Sequence, residues 1–336
     1  MIKVICVIGI FLIPSLTLAN PLYDTKLLEE APISVFERAL DVGVSPHSWD
    51  SNILGQTPLW FATWKNRIDL VDLLLSRGAD INALVRDGYY GESALWRAAF
   101  EGHLDMVKHL VSRGADVNSP TKLPLIGAMS SFSFDPVSIS SVLLSNGANT
   151  NAHDPSGKTP VTAAAKNFKF GQPLLDLFEQ NGADLSLPDR EGMTALATAT
   201  EFRNPSLITH LLRKQGITVR GDLSSELILN YTIRRKVRTN NQINSIIEAI
   251  DILLANGADI NATDADGNTF LHLLVSHNQP LPMVIEHVIR QGADVQLRNK
   301  NGLNIFEEAA NGLLLGHPVY FFIEELTSGQ RTLFDK

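Results

Sequence analysis

Apolar residues recur along this chain with helical spacing, and glycine interrupts the pattern at nearly regular intervals. Stretches such as Ile68–Leu75 and Leu104–Val111 carry an apolar face and end in a glycine that is followed by Ala-Asp. This spacing predicts amphipathic helices, and a glycine just past the last turn can adopt the left-handed conformation that ends a helix. Seven segments share the ending or a close relative of it, with marker glycines Gly78, Gly114, Gly147, Gly182, Gly216, Gly257 and Gly292.

The marker glycines are evenly spaced, at 36, 33, 35, 34, 41 and 35 residues. Most of the units begin with a polar turn and a cap-like threonine, often followed by proline, as in Thr57-Pro58 and Thr159-Pro160. A helix of small residues follows, and then a second, more apolar helix. Because threonine suits the N-cap and proline the first helical turn, we expect two helices per interval. A period of this length predicts one unit stacked many times.

These residues resemble the ankyrin repeat, whose pattern is a β-turn finger, two antiparallel helices and a Gly-Ala-Asp-x-Asn turn. The resemblance is weaker at Gly147, whose unit has Leu123-Pro124-Leu125 in place of Thr-Pro-Leu, and at Gly216, which lacks the following Ala-Asp. It implies an all-α fold, a solenoid of helix-turn-helix units with β-turn fingers and about seven to eight repeats including degenerate caps.

The pattern also predicts the organisation of the chain. We expect a signal peptide over residues 1–19, an N-terminal segment and cap half-repeat over 20–50, ankyrin repeats over 51–300, and a C-terminal capping repeat and tail over 301–336. The half-repeat is centred on Gly43, one period before the first marker glycine. The last unit begins at Asn301-Gly302.

Residues 1–19 have the features of an export signal. Lys3 precedes the apolar stretch Val4–Ile13, and Thr17 and Ala19 are small residues at the two positions that a signal peptidase recognises. We therefore predict cleavage after Ala19 and a periplasmic or secreted protein, with an uncleaved anchor as the alternative. The single cysteine, Cys6, lies inside this segment, so the mature chain would contain none.

Composition and charge exclude some classes of partner. The chain is 44% hydrophobic and 19% charged, which suits a folded protein, and its net charge is −8. An acidic surface argues against nucleic acid, which requires basic grooves. No segment after residue 19 is long and apolar enough to predict a membrane span. We expect a mature chain that is monomeric when unbound.

The sequence contains only weak candidates for chemistry. Its nine histidines are scattered and form no zinc-binding motif, and we expect no catalytic residue, metal or cofactor. His272 and His103 fall at positions where the resemblance implies a structural role. Asp264 and the residues that follow partly match a calcium loop, but a β-turn finger is the simpler interpretation. The enzymatic alternative would use His277 or His317.

The resemblance implies that finger tips and the exposed ends of the first helices line a concave face where partners bind. Transferred to the first two full units, these positions predict a partner-binding surface rich in large apolar residues, a composition typical of interface hot spots. The alternative is that some of the aromatics, Trp64 above all, pack against the preceding cap. The predicted surface consists of Ile53, Leu54, Trp64, Lys65, Tyr89, Tyr90, Phe100 and Glu101.

A basic run in the longest interval stands out against the acidic background. It predicts a secondary partner-binding site for an acidic partner or surface, and a solvated loop is the alternative. The loop Phe168–Gly171 is a further departure that could expose aromatic rings. The four cations of the basic run are Arg234, Arg235, Lys236 and Arg238.

Together these observations predict an exported, non-enzymatic protein-binding module. Its expected role is to neutralise or stabilise a protein partner in the periplasm, as an immunity protein or inhibitor, or as a protective helper. The alternative is a secreted effector that binds a host-cell protein.

Overall fold

The computed structural model describes residues 22, 24–47, 55–85, 91–130, 135–214, 217, 219, 232–237, 239–276, 281–310, 320, 321, 323 and 324. The chain divides into a first unit, residues 1–160, and a second unit, residues 161–336. In the described part of the first unit the helices are α1 Thr25–Glu30, α2 Ile33–Asp41, α3 Pro58–Trp64, α4 Ile68–Ser76, α5 Ala94–Glu101, α6 Leu104–Ser112, α7 Pro124–Ser130 and α8 Pro136–Ser145.

Helix pairs continue in the second unit, with one helix beginning at the boundary. The described helices there are α9 Pro160–Ala165, α10 Gly171–Gln180, α11 Ala195–Glu201, α12 Pro205–Leu212, α13 Asn240–Ala255, α14 Phe270–Ser276, α15 Pro282–Arg290 and α16 Ile305–Ala310. The described part of the chain contains one isolated β-bridge, Thr263 to Thr269, and no strand. The prediction of an all-α repeat fold is confirmed.

The predicted start signals form the expected caps. Thr57 Oγ1 accepts a hydrogen bond of 3.1 Å from the amide of Trp60, and Pro58 occupies the first turn of α3. Ser93 caps α5 and Thr194 caps α11 in the same way. Each cap satisfies an amide that has no partner within the helix, which stabilises the helix by about 1 kcal/mol.

The marker glycines end the second helices as the pattern predicts. Gly78 has φ +89°, a conformation that costs other residues about 1–2 kcal/mol, and the next amide, Ala79 N, bonds back to Leu74 O. A different constraint applies at Gly127 in α7, where an added Cβ would lie 3.0 Å from the Trp96 ring. Here glycine permits the first helices of adjacent repeats to approach closely.

Each unit buries its own row of apolar side chains between the helix layers. In the first unit the fully buried residues of the second helices include Leu70, Leu74, Met106, Leu110 and Leu143. The first helices bury alanines, among them Ala62 and Ala98. The predicted contrast between a small-residue helix and an apolar helix holds only in part, because α3 and α5 also bury Trp60 and Trp96. Among the described residues no helix has the length and apolar character needed to cross a bilayer.

Several repeat-turn asparagines join one repeat to the next. Asn118 Oδ1 accepts from the amide of Asn149 at 2.8 Å, and its Nδ2 donates to Gly147 O at 2.9 Å. Asn261 makes the equivalent bonds in the second unit. This explains why an asparagine or a related polar residue follows the marker glycine at a fixed distance.

The structural roles predicted for three weak chemical candidates are confirmed. His272 is buried, with Nδ1 2.8 Å from Thr269 Oγ1 and Nε2 3.1 Å from Leu303 O. His103 Nε2 lies 3.2 Å from Trp64 O in the preceding repeat. Asp264 Oδ1 accepts from two amides of its own turn, as a β-turn finger requires. All three side chains therefore support turns.

Candidate protein-binding surface

Five aromatic rings lie on the neighbouring first helices α3 and α5, and they are Trp60, Phe61, Trp64, Trp96 and Phe100. Trp60 and Trp96 occupy the repeat position that His272 occupies elsewhere, and they are only 5% and 8% exposed. The Trp60 and Trp64 ring centroids are 5.8 Å apart, and Phe100 stacks on Trp96 at 5.0 Å with the planes tilted by 17°. Trp64 and Phe100 are half-buried. Their rings pack against Trp60 and Trp96, which are themselves buried.

A carboxylate and two cations connect these helices across the finger. Trp60 Nε1 donates to Glu92 Oε2 at 3.1 Å, and Arg97 reaches the same oxygen at 3.1 Å. Lys122 Nζ lies 2.9 Å from the other oxygen, Glu92 Oε1. Arg97 also pairs with Glu101 at 2.8 Å. The side chains of Glu92 and Arg97 are 14% and 16% exposed, so these contacts are poorly screened by solvent.

The same cations lie over the aromatic rings. The Arg97 guanidinium is 4.2 Å from the Trp60 centroid and 5.3 Å from the Phe100 centroid, while Lys122 Nζ is 4.5 Å from Trp96. Both distances to tryptophan are within cation–π range. We call Trp60, Glu92, Trp96, Arg97, Phe100 and Lys122 the aromatic–cation cluster.

The end of α3 is tied to the N-terminal cap. Lys65 Nζ lies 4.1 Å from the Trp64 ring and forms an ion pair with Glu29, one residue before the end of α1. Arg67 donates to Leu28 O and to Ala31 O, each at 3.0 Å. These contacts and its neighbouring rings cover part of Trp64, as the alternative of packing against the cap predicts, but the ring is still partly exposed. Its role in partner binding stays a prediction.

Phe100 and Glu101 show the same partial coverage at the end of α5. Phe100 is covered on one face by Trp96, and Glu101 is held by Arg97. Both side chains are half-buried, and their predicted role in partner binding stays a prediction. The structure therefore brings together four of the eight predicted residues: Trp64, Lys65, Phe100 and Glu101. The other four, Ile53, Leu54, Tyr89 and Tyr90, lie outside the described residues.

The basic run is held in place by a buried arginine. Arg203 donates from Nε to Thr232 O at 2.8 Å and from its guanidinium to Arg235 O. Burial, with the nearby charge of Arg235, lowers the pKa of Arg203 from its ordinary value. Arg234, Arg235 and Lys236 are exposed, whereas Arg238 lies outside the described residues.

A recurring histidine–aspartate contact was missed by sequence reasoning. In three places a histidine Nε2 on one second helix lies 2.7–3.0 Å from an aspartate Oδ1 on the preceding second helix. The residue four positions after each histidine contacts the same carboxylate. In each set the aspartate and the histidine are about one repeat apart in sequence, and this spacing could have identified the sets before the structure was known. The sets are Asp72 with His109 and Arg113, Asp176 with His210 and Lys214, and Asp251 with His287 and Gln291.

The carboxylate of the middle set has a perturbed pKa. Burial by itself would raise the pKa of Asp176, but the hydrogen bond from Lys214 and the charge of His210 outweigh burial and hold it below its usual value. These contacts are electrostatic supports between repeats. In the part of the chain that the structure describes, no group of three or more His, Cys, Asp or Glu residues could hold a metal ion.

Stacked two-helix repeats with polar fingers define a class of protein, and comparisons with known families agree with that class. A family model described as "Ankyrin repeats (3 copies)" matches residues 32–121, and one described as "Ankyrin repeats (many copies)" matches residues 246–285. Together with the all-helical fold, these matches support an ankyrin-repeat solenoid of helix-turn-helix units. The described helices between the two matched segments follow the same order. Ankyrin repeats are generally non-catalytic modules that bind proteins.

The chain is also similar to repeat segments of larger proteins. It is 29% identical to SH3 and multiple ankyrin repeat domains protein 2 of Homo sapiens, over 50% of this chain and 10% of that protein. It is 28% identical to Rabankyrin-5 of Mus musculus, over 47% of this chain and 13% of that protein. It is 28% identical to Phosphocholine transferase AnkX of Legionella pneumophila, over 40% of this chain and 14% of that protein. The chain thus spans only a small part of each of these relatives.

Proposed function

We propose that this chain is an exported, non-enzymatic module that binds one protein partner in the periplasm and neutralises or stabilises it. The observation that carries the proposal is the aromatic–cation cluster on α3 and α5, together with Trp64 and Lys65 at the end of α3. In the neutralising role the chain is an immunity protein or inhibitor. In the stabilising role it is a protective helper.

The cluster has the chemistry of an interface anchor. Half-buried Trp64 and Phe100 rest on buried rings, and Arg97 and Lys122 hold those rings in fixed positions. Because the rings are already ordered, a partner that covers them loses little additional side-chain entropy on binding. Tryptophan and arginine are also the residues that most often dominate binding energies.

Four further residues extend the proposed surface on the sequence pattern alone. Ile53 and Leu54 precede α3, and Tyr89 and Tyr90 precede α5, at the finger positions of their units. We include them as predicted contacts. Replacing the two tyrosines by alanine is expected to weaken partner binding while leaving the helical content unchanged, as measured by circular dichroism.

Export rests on residues 1–19, which lie outside the described residues. The expected first residue of the mature protein is Asn20. N-terminal sequencing of the protein recovered from a periplasmic extract would test this. A sequence that begins at Met1 would contradict export by signal cleavage.

Affinity capture tests the proposed surface. The mature chain is immobilised beside a variant carrying Trp64→Ala and Phe100→Ala, and beside a control carrying Met283→Ala, an exposed apolar residue of α15. The native chain and the control should capture the same stoichiometric protein from a periplasmic extract, and the double variant should lose it. Equal capture by all three chains would reject the proposed surface.

Assays of the purified partner distinguish the neutralising role from the stabilising role. If purified partner loses its activity on addition of the chain, the chain is an inhibitor or immunity protein. If the partner instead gains thermal stability and keeps its activity, the chain is a protective helper.

The alternative function is a secreted effector that binds a host-cell protein. The chain is similar to repeats of a Legionella pneumophila protein and of animal proteins, and this similarity supports the alternative. Recovery of the mature chain from the culture medium, with no partner in the periplasmic extract, would support it over the periplasmic role.

A further inference from the structure

The second unit brings together two sequence features that are far apart in the chain. Phe168 lies in the loop after α9, and Phe202 lies at the end of α11, one repeat later. Their ring centroids are 6.3 Å apart. The Arg235 guanidinium, one further repeat along, lies 4.0 Å from the Phe202 centroid. The exposed loop and the basic run therefore form one surface.

The exposed ring in this surface is held by its backbone. Phe168 is 63% exposed, which makes it the most exposed aromatic side chain in the described part of the chain. Beneath it, buried Asn167 accepts from the amides of Lys169 and Phe170 at 3.1 and 2.9 Å. Because this turn is hydrogen-bonded, the exposure of Phe168 is a property of the folded loop.

The basic side of the surface is also ordered. Arg203 adopts a left-handed conformation, with φ +56°, which is unfavourable for a residue with a side chain. Its buried guanidinium binds the carbonyls of Thr232 and Arg235 and so fixes the segment 232–237 against α11. This contact compensates for the backbone cost and places Arg235 over Phe202.

Three cations of the exposed loop and the basic run have no acidic partner among the described residues. Among the residues that the structure describes, no carboxylate lies within ion-pair distance of Lys169, Arg235 or Lys236. All three are exposed, in a chain whose net charge is −8. Such a concentration of unpaired positive charge beside an apolar ring fits a ligand that supplies negative charge and one apolar side chain.

We propose that Phe168, Lys169, Phe202, Arg235 and Lys236 form a docking site for an acidic segment of a protein, in which glutamates or aspartates flank an apolar residue. The apolar residue packs on Phe168, and the carboxylates pair with the three cations. We call these five residues the Phe168 patch. This site lies in the second unit and differs in chemistry from the surface of the proposed function, which lies in the first unit.

Charge favours a short acidic segment over a larger anionic surface. A bilayer or a nucleic acid would be repelled by the net negative charge of the protein. Membrane attraction usually requires four to eight clustered cations. A short peptide meets only the patch. The size of the patch therefore matches a few residues of extended chain.

The test measures fluorescence anisotropy of a fluorescein-labelled peptide of alternating glutamate and leucine. The same peptide with glutamine in place of glutamate serves as the uncharged probe. The mature native chain should bind the acidic peptide more tightly than the uncharged one, and salt should weaken that binding. Circular dichroism checks that every variant is folded.

Matched substitutions locate the site. Phe168→Ser and Lys236→Glu should each weaken binding of the acidic peptide by about tenfold. Two exposed controls in α15 should leave it unchanged: Met283→Ser, which removes an apolar side chain, and Arg290→Glu, which reverses a positive charge. Trp64→Ala in the first unit should also leave it unchanged. This last variant makes failure of the Phe168 patch distinguishable from failure of the proposed function.

Three results would overturn the proposal. They are equal binding of the acidic and uncharged peptides, equal binding by the native chain and the two patch variants, and no peptide binding by a folded native chain. Binding of phosphatidylserine vesicles that is lost in both patch variants, without peptide binding, would assign the patch to a membrane surface instead.

Discussion

Arg97 is the residue on which the aromatic–cation cluster depends, and Arg97→Met tests that role. Methionine keeps an unbranched apolar side chain of similar length and removes only the guanidinium. The substitution abolishes the contact with the Trp60 ring at 4.2 Å and the ion pairs with Glu92 at 3.1 Å and Glu101 at 2.8 Å. Glu92 retains Trp60 Nε1 and Lys122 as partners, so its carboxylate is not left uncompensated.

The expected loss of stability follows from these contacts. A partly desolvated cation–π contact contributes about 1 kcal/mol, and the charge-assisted pair with Glu92, shielded from solvent, contributes about another 1 kcal/mol. The pair with Glu101 on the same helix adds a few tenths of a kcal/mol. Arg97→Met should therefore lower the free energy of unfolding of the first unit by about 2 kcal/mol.

Urea unfolding followed by tryptophan emission measures this loss in the correct unit. All four tryptophans, Trp49, Trp60, Trp64 and Trp96, lie in the first unit, so their emission does not report on the second unit. With a slope of about 2 kcal/mol per molar urea, the midpoint should fall by about 1 M.

A control and a double-mutant cycle make the result specific. Arg113→Met removes an ion pair with Asp72 of similar length, 2.9 Å, but both side chains are 43% exposed, so the expected loss is below about 1 kcal/mol. Combining Arg97→Met with Trp60→Phe should show a coupling of about 0.5–1 kcal/mol. If Arg97→Met and Arg113→Met shift the midpoint equally, or if the coupling is absent, the cluster does not stabilise the first unit as described.

Three further predictions concern contacts between repeats. Asn118→Ala removes bonds to the amide of Asn149 and to Gly147 O and should destabilise the first unit by about 1–2 kcal/mol in the same urea assay; an unchanged midpoint would contradict this. His272→Ala leaves a cavity and an unpaired Leu303 carbonyl in the second unit and should lower its thermal midpoint, followed by circular dichroism, by several degrees. The pKa of Asp176 is lowered in the folded state, so its stabilisation is present above the unfolded pKa of about 3.9 and is lost as the pH falls through the folded value. Asp176→Asn should therefore show a smaller loss of stability than the native chain between about pH 5 and pH 2.5, and identical pH profiles would refute this assignment.

The local features of the repeat could be predicted from sequence because each depends on one or two neighbouring residues. Thr57 and Ser93 cap helices through their own side chains, and Gly78 ends a helix through its own backbone. The number of stacked helix pairs and the absence of strands among the described residues follow from the same periodic signals.

The candidate site was harder to predict because it depends on contacts between repeats. Trp60 and Trp96 replace the histidine of the repeat pattern, and their burial depends on Arg97, Lys122 and a glycine in the next repeat. Sequence position alone suggested that the ends of α3 and α5 are exposed. Neighbouring rings and ion pairs cover much of those side chains.

Contacts one repeat apart follow a rule that sequence reasoning could have used. Equivalent positions in successive repeats lie side by side, so residues separated by about one period are candidate partners. Phe168 and Phe202 obey this rule, as do His109 and Asp72. Which of these candidates form real contacts depends on side-chain direction, and only the folded structure contains that information.

Hydrogen exchange of the mature chain, with and without the captured partner, tests the central claim most directly. If the first helices and fingers of the first unit bind the partner, amides of residues 55–65 and 91–101 should gain protection, while those of α15 should not change. Protection confined to residues 232–237 or to α15, with no change at 55–65 and 91–101, would contradict the claim.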